Sequence, residues 1–169
     1  MKKIFLSIGF LLFNASLFSG CGVYSFTGAS IDPSVKTFTV HFIKNQAPLV
    51  VPSLSQTLTE GLKNKFLTST NLNQLDNNGD LDFSGVITNY AVTPVAVQAN
   101  ETAALNRLTI AVNIDYVNHQ NEKQTWNSTF SRYADFNSSS DFTSIQDQLI
   151  QDIVQQLTED IFNKAVVNW

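Results

Sequence analysis

The stretch Arg107-Leu108-Thr109-Ile110-Ala111-Val112-Asn113-Ile114-Asp115-Tyr116 decides the fold of this chain. Leu108, Ile110, Val112, Ile114 and Tyr116 alternate with Arg107, Thr109, Ala111, Asn113 and Asp115. Successive side chains of a strand point to opposite faces, so a period of two separates an apolar face from a polar one. One buried and one open face is the habit of antiparallel sheets. A strand of this kind needs strand neighbours and a second layer to cover its apolar side.

The neighbours follow on either side. Residues 118–123 read as a hairpin turn, and residues 124–136 as a strand with Trp126 and Phe130 on one face. Residues 98–106 read as a loop or broad hairpin, and residues 81–97 as a long strand. Leu81, Phe83 and Ile87 are expected on one of its faces and Val86, Tyr90 and Val92 on the other. Pro94 cannot donate to a ladder, so it marks an edge, a bulge or a bend. A further strand is expected over residues 35–43, where Phe38, Val40 and Phe42 alternate with Thr37, Thr39 and His41.

Two segments carry the helical period instead. Leu54, Leu58, Leu62 and Phe66 recur every four residues after Pro52, with Ser53 and Gln56 as a capping box. The stronger signal covers residues 142–169, where Ile145, Leu149, Ile153, Leu157, Ile161 and Ala165 form a ridge and Thr143 with Gln146 can cap the start. Between the first helix and the long strand, residues 68–79 are polar and Asn-rich and read as a loop. The resulting order is β-α-β-β-β-α. It predicts an α+β two-layer sandwich, with a four-stranded, mostly antiparallel sheet and both helices on its apolar face.

The N-terminus has a separate logic. Met1-Lys2-Lys3 precedes an apolar run that ends at Leu17-Phe18-Ser19-Gly20-Cys21-Gly22. A short basic start, an apolar segment and small residues at a cleavage point describe a secretory signal peptide, here residues 1–20. The run is too short and interrupted for a membrane-spanning helix. The junction resembles the lipobox of bacterial lipoproteins, in which the cysteine is acylated and becomes the first mature residue. Cys21 is the single cysteine, and an unpaired thiol in an oxidising compartment would otherwise need its own explanation. Residues 21–34 then form a lipidated tether and residues 35–169 one domain. Gly22, in place of an aspartate, implies outer-membrane sorting. No acidic run follows the cysteine, which favours the periplasmic leaflet.

Composition narrows the function. The chain has ten Lys and Arg against fourteen Asp and Glu. Loss of Lys2 and Lys3 with the signal leaves eight against fourteen, a balance of −6. That disfavours nucleic acid, which needs a basic footprint. Charged residues make up only 14% of the chain, and Phe occurs 13 times. A polar, weakly charged, aromatic surface suits a protein covered by a partner.

Catalytic and metal signatures are missing from the sequence. His41 and His119 are the two histidines, and with Cys21 acylated no Cys/His zinc spacing is available. There is no Gly-rich phosphate loop, nucleophile elbow or His-Glu-x-x-His. Asp76, Asn77, Asn78, Gly79, Asp80 and Asp82 look superficially like a calcium loop, but the closing bidentate Glu is absent. No enzyme, cofactor or metal site is expected.

The lipobox cysteine, followed by Gly-Val-Tyr-Ser-Phe-Thr-Gly-Ala-Ser-Ile and then β-α-β-β-β-α, resembles the LptE family of LPS-assembly lipoproteins in the form found in Bacteroidetes. Ala47-Pro48-Leu49-Val50-Val51-Pro52, the run from Gln98 to Thr109, and the ending Asp160-Ile161-Phe162-Asn163-Lys164-Ala165-Val166-Val167-Asn168-Trp169 are also similar to that group. The resemblance implies an outer-membrane lipoprotein that plugs the large β-barrel LptD, the translocon delivering lipopolysaccharide to the outer leaflet. A free periplasmic carrier of lipid or another apolar ligand is the alternative. Arg107 and Arg132 are the only arginines. They are the candidate contacts to lipopolysaccharide or the barrel, since Arg suits phosphate and carboxylate. The hairpin brings them towards one end of the sheet, either as a small basic spot or each paired with an acid such as Glu101 or Asp135.

Overall fold

A computed structural model describes residues 31–95 and 104–166. The signal peptide, Cys21, most of the tether, residues 98–103 of the expected 98–106 loop and the C-terminal residues 167–169 lie outside the described residues, while Leu105 and Asn106 belong to a strand. The elements are β1 (Thr37–Val40), β2 (Lys44–Asn45), α1 (Pro52–Ser69), β3 (Asn73–Gln74), β4 (Leu81–Val95), β5 (Leu105–Asn118), β6 (Trp126–Asn137) and α2 (Phe142–Val166). A 3-10 turn, Glu122–Gln124, sits in the β5–β6 connection.

The α+β class and the two helices agree with expectation, but the sheet is larger and mixed. It has six strands in the order β3-β1-β4-β5-β6, with β2 also pairing with β4. β4–β5 and β5–β6 are antiparallel. β1 runs parallel to both β3 and β4, and β2 parallel to β4. Parallel pairing follows from α1, because a helical crossover returns the chain to the same end of the sheet. β3 lies in the segment read as loop. Two polar residues carry no periodic signal.

The expected first strand, residues 35–43, is broken. Val40 pairs with Phe83 and Lys44 with Val86, four steps on one side against three on the other. The extra residue inverts the alternation, as a bulge does. Phe42, expected in the core, is therefore 61% exposed, and Ile43 is buried instead. A second bulge lies across β4, where Ile87 pairs with Val112 and Asn89 with Ala111. The odd residue, Thr88, turns Tyr90 onto the same face as Leu81, Phe83 and Ile87, against the expectation that it lay opposite.

Both helices cover one face of the sheet and close a single core. Phe83, Tyr116 and Trp126 are register partners on β4, β5 and β6, with ring centroids 4.8 and 5.0 Å apart. Phe66 of α1 touches Phe38, Phe83 and Phe162 at 5.3, 4.8 and 5.1 Å. The rings thus form one continuous layer beneath the helices. The helices meet at Gly61, where an added Cβ would stand 3.0 Å from the Val154 side chain.

The caps differ from those expected. α1 starts at Pro52 behind Val51, with no side-chain cap. Proline suits that first position because its missing N–H would be unpaired anyway. At α2 the cap is Asp141, whose carboxylate accepts the Thr143 N–H at 3.1 Å. Gln146 instead donates to the Tyr90 hydroxyl at 2.8 Å.

Leu157 is fully buried and Gln156 is exposed. Leu157→Ala should destabilise the domain by about 2–5 kcal/mol, the usual range for a buried leucine. Gln156→Ala should stay within about 0.5 kcal/mol. Denaturant unfolding of the two variants checks the assigned face, and equal effects would reject it.

Candidate functional site

The register fixes both arginines. Arg107 pairs with Asp135, and Arg132 lies opposite Ile110. Arg107 therefore points to the helix-free face, while Arg132 shares the helix-covered face with Ile110. The hairpin brings the two strands together, but the arginines stand on opposite faces and make no common spot.

Each is held by a carboxylate. The Arg107 Nε and Nη2 donate to the two oxygens of Asp135 at 2.6 and 2.8 Å. Its guanidinium also lies 3.6 Å from the centre of the Tyr133 ring. The Arg132 Nε and Nη2 donate to Asp160 of α2 at 2.5 and 2.6 Å. Hydrogen bonding to Asp135 raises the Arg107 pKa, and the same bond holds Asp135 below the usual carboxylate range. Hydrogen bonding to Asp160 raises the Arg132 pKa. These are two-pronged, geometrically specific pairs. An incoming phosphate would have to displace a fixed carboxylate at either one. The pairing with Asp135 answers one of the two acids named from the sequence. Asp160 was not legible, since it comes from α2, in the layer above the hairpin, and no local pairing points to it.

His41 also has a partner, with Nε2 3.0 Å from Asp82. The acidic stretch before β4 serves the protein's own backbone. Asp80 Oδ2 accepts the N–H groups of Lys36 and Thr37 at 2.8 and 2.9 Å and the Thr37 hydroxyl at 2.9 Å. Its Oδ1 accepts Gln120 Nε2 at 2.7 Å. The carboxylate thus ties the start of β1 and the β5–β6 turn to the start of β4. These donors hold its pKa at about 2, the Lys36 N–H contributing most.

This knot marks one end of the molecule. A narrow cleft there is lined by Ile31, Val35, Leu81, Tyr116, Asn118 and Val166, so the first and last described residues lie together. The pair Val95 and Leu105 lies at the other end of the β4–β5 hairpin. At about 3.3 Å per residue, the 14 residues of β5 span roughly 45 Å between the two ends. Larger hollows are open surface features. One of about 450 Å3 runs between the helices past Gly61 and Val154, and one of about 390 Å3 is lined by Ile31, Lys36 and residues 68–72.

A family model described as LptE, lipopolysaccharide-assembly, matches residues 35–165. A comparison with curated proteins finds no match. Among solved structures the chain is similar to a Xanthomonas campestris protein, with 11% identity and TM-score 0.52, over 82% of this chain and 90% of that one. It is also similar to uncharacterized lipoprotein B of Nitrosomonas europaea, with 10% identity and TM-score 0.51, over 85% and 88% of the two chains. A hypothetical protein of Chlamydia trachomatis gives 8% identity and TM-score 0.50, over 79% and 99%. At such identities the likeness is one of fold alone.

The Asp80 knot predicts a pH dependence. A carboxylate whose pKa falls on folding stabilises the native state above its unfolded value, near 3.8, and that contribution is lost as pH drops towards 2. Asp80→Ala should melt at a lower temperature at pH 7 and lose less stability than the parent between pH 4 and 2. Thermal melts across that interval check it, and parallel acid limbs would contradict the assignment.

Proposed function

The chain belongs to the LptE family of lipopolysaccharide-assembly proteins, and from that we propose that it is a lipid-anchored outer-membrane protein that plugs and helps assemble an LptD-like β-barrel. The family match over residues 35–165 is the observation that carries this reading. The lipobox-like junction at Cys21 supplies the anchor. Two or three acyl chains, at about 0.8 kcal/mol per buried methylene, hold a protein durably at a membrane surface. The protein works by binding and positioning, without a catalytic step and without a cofactor.

The shape supports a plug. Residues 22–30 separate Cys21 from Ile31, a reach of about 30 Å when extended. The Ile31 end of the domain is then the end nearest the anchoring leaflet. β4 carries the chain away from it and β5 brings it back, so the hairpin end with Arg107 lies deepest along the barrel, towards the route of lipopolysaccharide. In this arrangement Arg107 and Arg132 contact lipopolysaccharide or the barrel by exchanging their carboxylate partners.

A carrier would need room for an apolar ligand between helices and sheet. That space is filled by Phe38, Phe66, Phe83, Tyr116 and the aliphatic residues around them, all essentially inaccessible. The filled core favours the plug over the carrier.

Affinity purification of the full lipoprotein from outer membranes should recover a large β-barrel protein together with lipopolysaccharide. Recovery without any barrel would refute the assignment. Cys21→Ala should leave the precursor uncleaved or the product soluble. A fully processed Cys21→Ala product that still sediments with membranes lacking the barrel would disprove the anchor.

A further inference from the structure

Charge is divided unequally along the chain. Residues 33–75, which make β1, β2, α1 and β3, hold four lysines against one acid, Glu60, a balance of +3. Residues 76–169 hold four basic residues against twelve acids, a balance of −8. Apolar exposure follows the same division. Of the seven large hydrophobic side chains exposed among the described residues, five lie in the basic part: Phe42, Leu49, Val50, Leu67 and Leu75. Exposed hydrophobic residues scattered singly are ordinary, but a group of them on one side marks a contact.

The five line one edge of the molecule. β5 takes up the whole of one side of β4, so β1, β2 and β3 all lie on the other. The Leu75 N–H donates to the Phe38 carbonyl at 2.8 Å, on the side of β1 away from β4. Phe42 sits at the break between β1 and β2. The Gln46 N–H donates to the Ile87 carbonyl at 2.9 Å, so the turn with Leu49 and Val50 leaves the sheet on that same side. α1 packs over these three strands. At about 3.6 residues per turn, Leu67 and Lys63 fall on the flank of α1 opposite Gly61 and Lys65, which face α2. From the level of Leu81 to that of Ile87 the strip is about 20 Å long, at about 3.3 Å per residue. Its cations are partly free. Lys63 pairs with Glu60 and Lys65 with Glu159, but Lys36 and Lys44 are exposed and, among the described residues, in no ion pair. The acids bordering the strip are Asp76, Asp80 and Asp82. Asp80 is held by the Lys36 and Thr37 N–H groups, and Asp82 by His41.

We propose that this edge, with Lys36 and Lys44 beside Phe42, Leu49, Val50 and Leu67, is the surface by which the domain rests on an anionic phospholipid leaflet. The proposal goes beyond the plug assignment and leans only on the anchor at Cys21, which keeps a leaflet within reach. Lysines are drawn to anionic headgroups, while neighbouring apolar side chains enter the boundary between headgroups and acyl chains. The same headgroups repel the acidic remainder of the chain, so charge selects this edge over the other sides of the domain. The tether's reach of about 30 Å exceeds the length of the strip, which leaves the domain free to lie on its side. This is the posture of the lipoprotein before it meets a barrel, and entry as a plug lifts the edge off the leaflet.

The test uses the full-length processed lipoprotein in vesicles of phosphatidylethanolamine and phosphatidylglycerol. Cys21 is the single cysteine, so once it is acylated an introduced cysteine is the one free thiol. An environment-sensitive fluorophore is attached in turn to Leu49→Cys and Leu67→Cys, and to Gln156→Cys and Thr129→Cys on other sides of the domain. All four positions are exposed, and folding of each variant is checked by its melting temperature. Labels at Leu49 and Leu67 should emit several-fold more brightly and at shorter wavelength than those at Gln156 and Thr129. The gain should fall several-fold on phosphatidylcholine vesicles, and again when Lys36→Glu and Lys44→Glu are combined. Equal emission from all four sites would overturn the proposal, as would a gain indifferent to both the lipid charge and the two lysines. Labels at Leu49 and Leu67 that stay in water on vesicles but become shielded when a β-barrel protein is bound would also overturn it, because a protein then covers the edge. An unmodified mass for the N-terminal peptide would refute the anchor alone, and the labels on the same vesicles would still decide the edge.

Discussion

Phe66 is the contact on which the rest of the structure depends. It reaches from the last turns of α1 to Phe38 and Phe83 in the sheet and to Phe162 in α2. Aromatic rings bury large areas and favour offset or edge-on packing, so this cluster both stabilises and orients. α1 links β1 to β4, and α2 follows β6. A single side chain therefore joins the parallel and antiparallel halves of the sheet through both helices. Gly61 lets the helices come close enough for this, since the Val154 methyl occupies the space a side chain would take.

The two faces of the sheet answer to different demands. On the helix side, five successive alternate residues of β5, from Leu108 to Tyr116, are buried. On the other side the polar groups bond mainly to one another, as Asn113 and Asn127 do. The bulges at the β1–β2 break and at Thr88 adjust both edges of β4 so that this division holds along its length. The Thr88 bulge also sets Tyr90 inward, where Gln146 can bond it.

Much of this was legible in the residues. The alternation from Leu108 to Tyr116 and the four-residue stripes of the helices follow directly from packing periodicity, and those elements stand where the periods put them. Three features escaped that kind of reading. The parallel pairing of β1 is a property of chain path, which no local period encodes. The bulges shift phase by one residue and leave no compositional mark, which is why Phe42 and Tyr90 were placed on the wrong sides. The short β3 is stabilised by its neighbours alone. Of the candidate site, the arginines were found by scarcity, and the Asp135 partner by proximity in the hairpin. Their separation onto opposite faces depends on register, which one residue reverses.

A domain with a filled core has only its exterior to work with. Its arginines are paired to carboxylates on both faces of the sheet, and its first and last described residues lie together at one end. A filled core suits a protein held inside another and not one that loads a ligand between its layers. Amide hydrogen exchange on the purified lipoprotein, free and in its membrane complex, separates the two most directly. A plug should gain protection along β6 and the neighbouring sheet surface on assembly, with the slow exchange of β5 unchanged. Faster exchange at the helix–sheet interface, with β6 unaffected, would mean that the layers part to admit a ligand, and would contradict the plug.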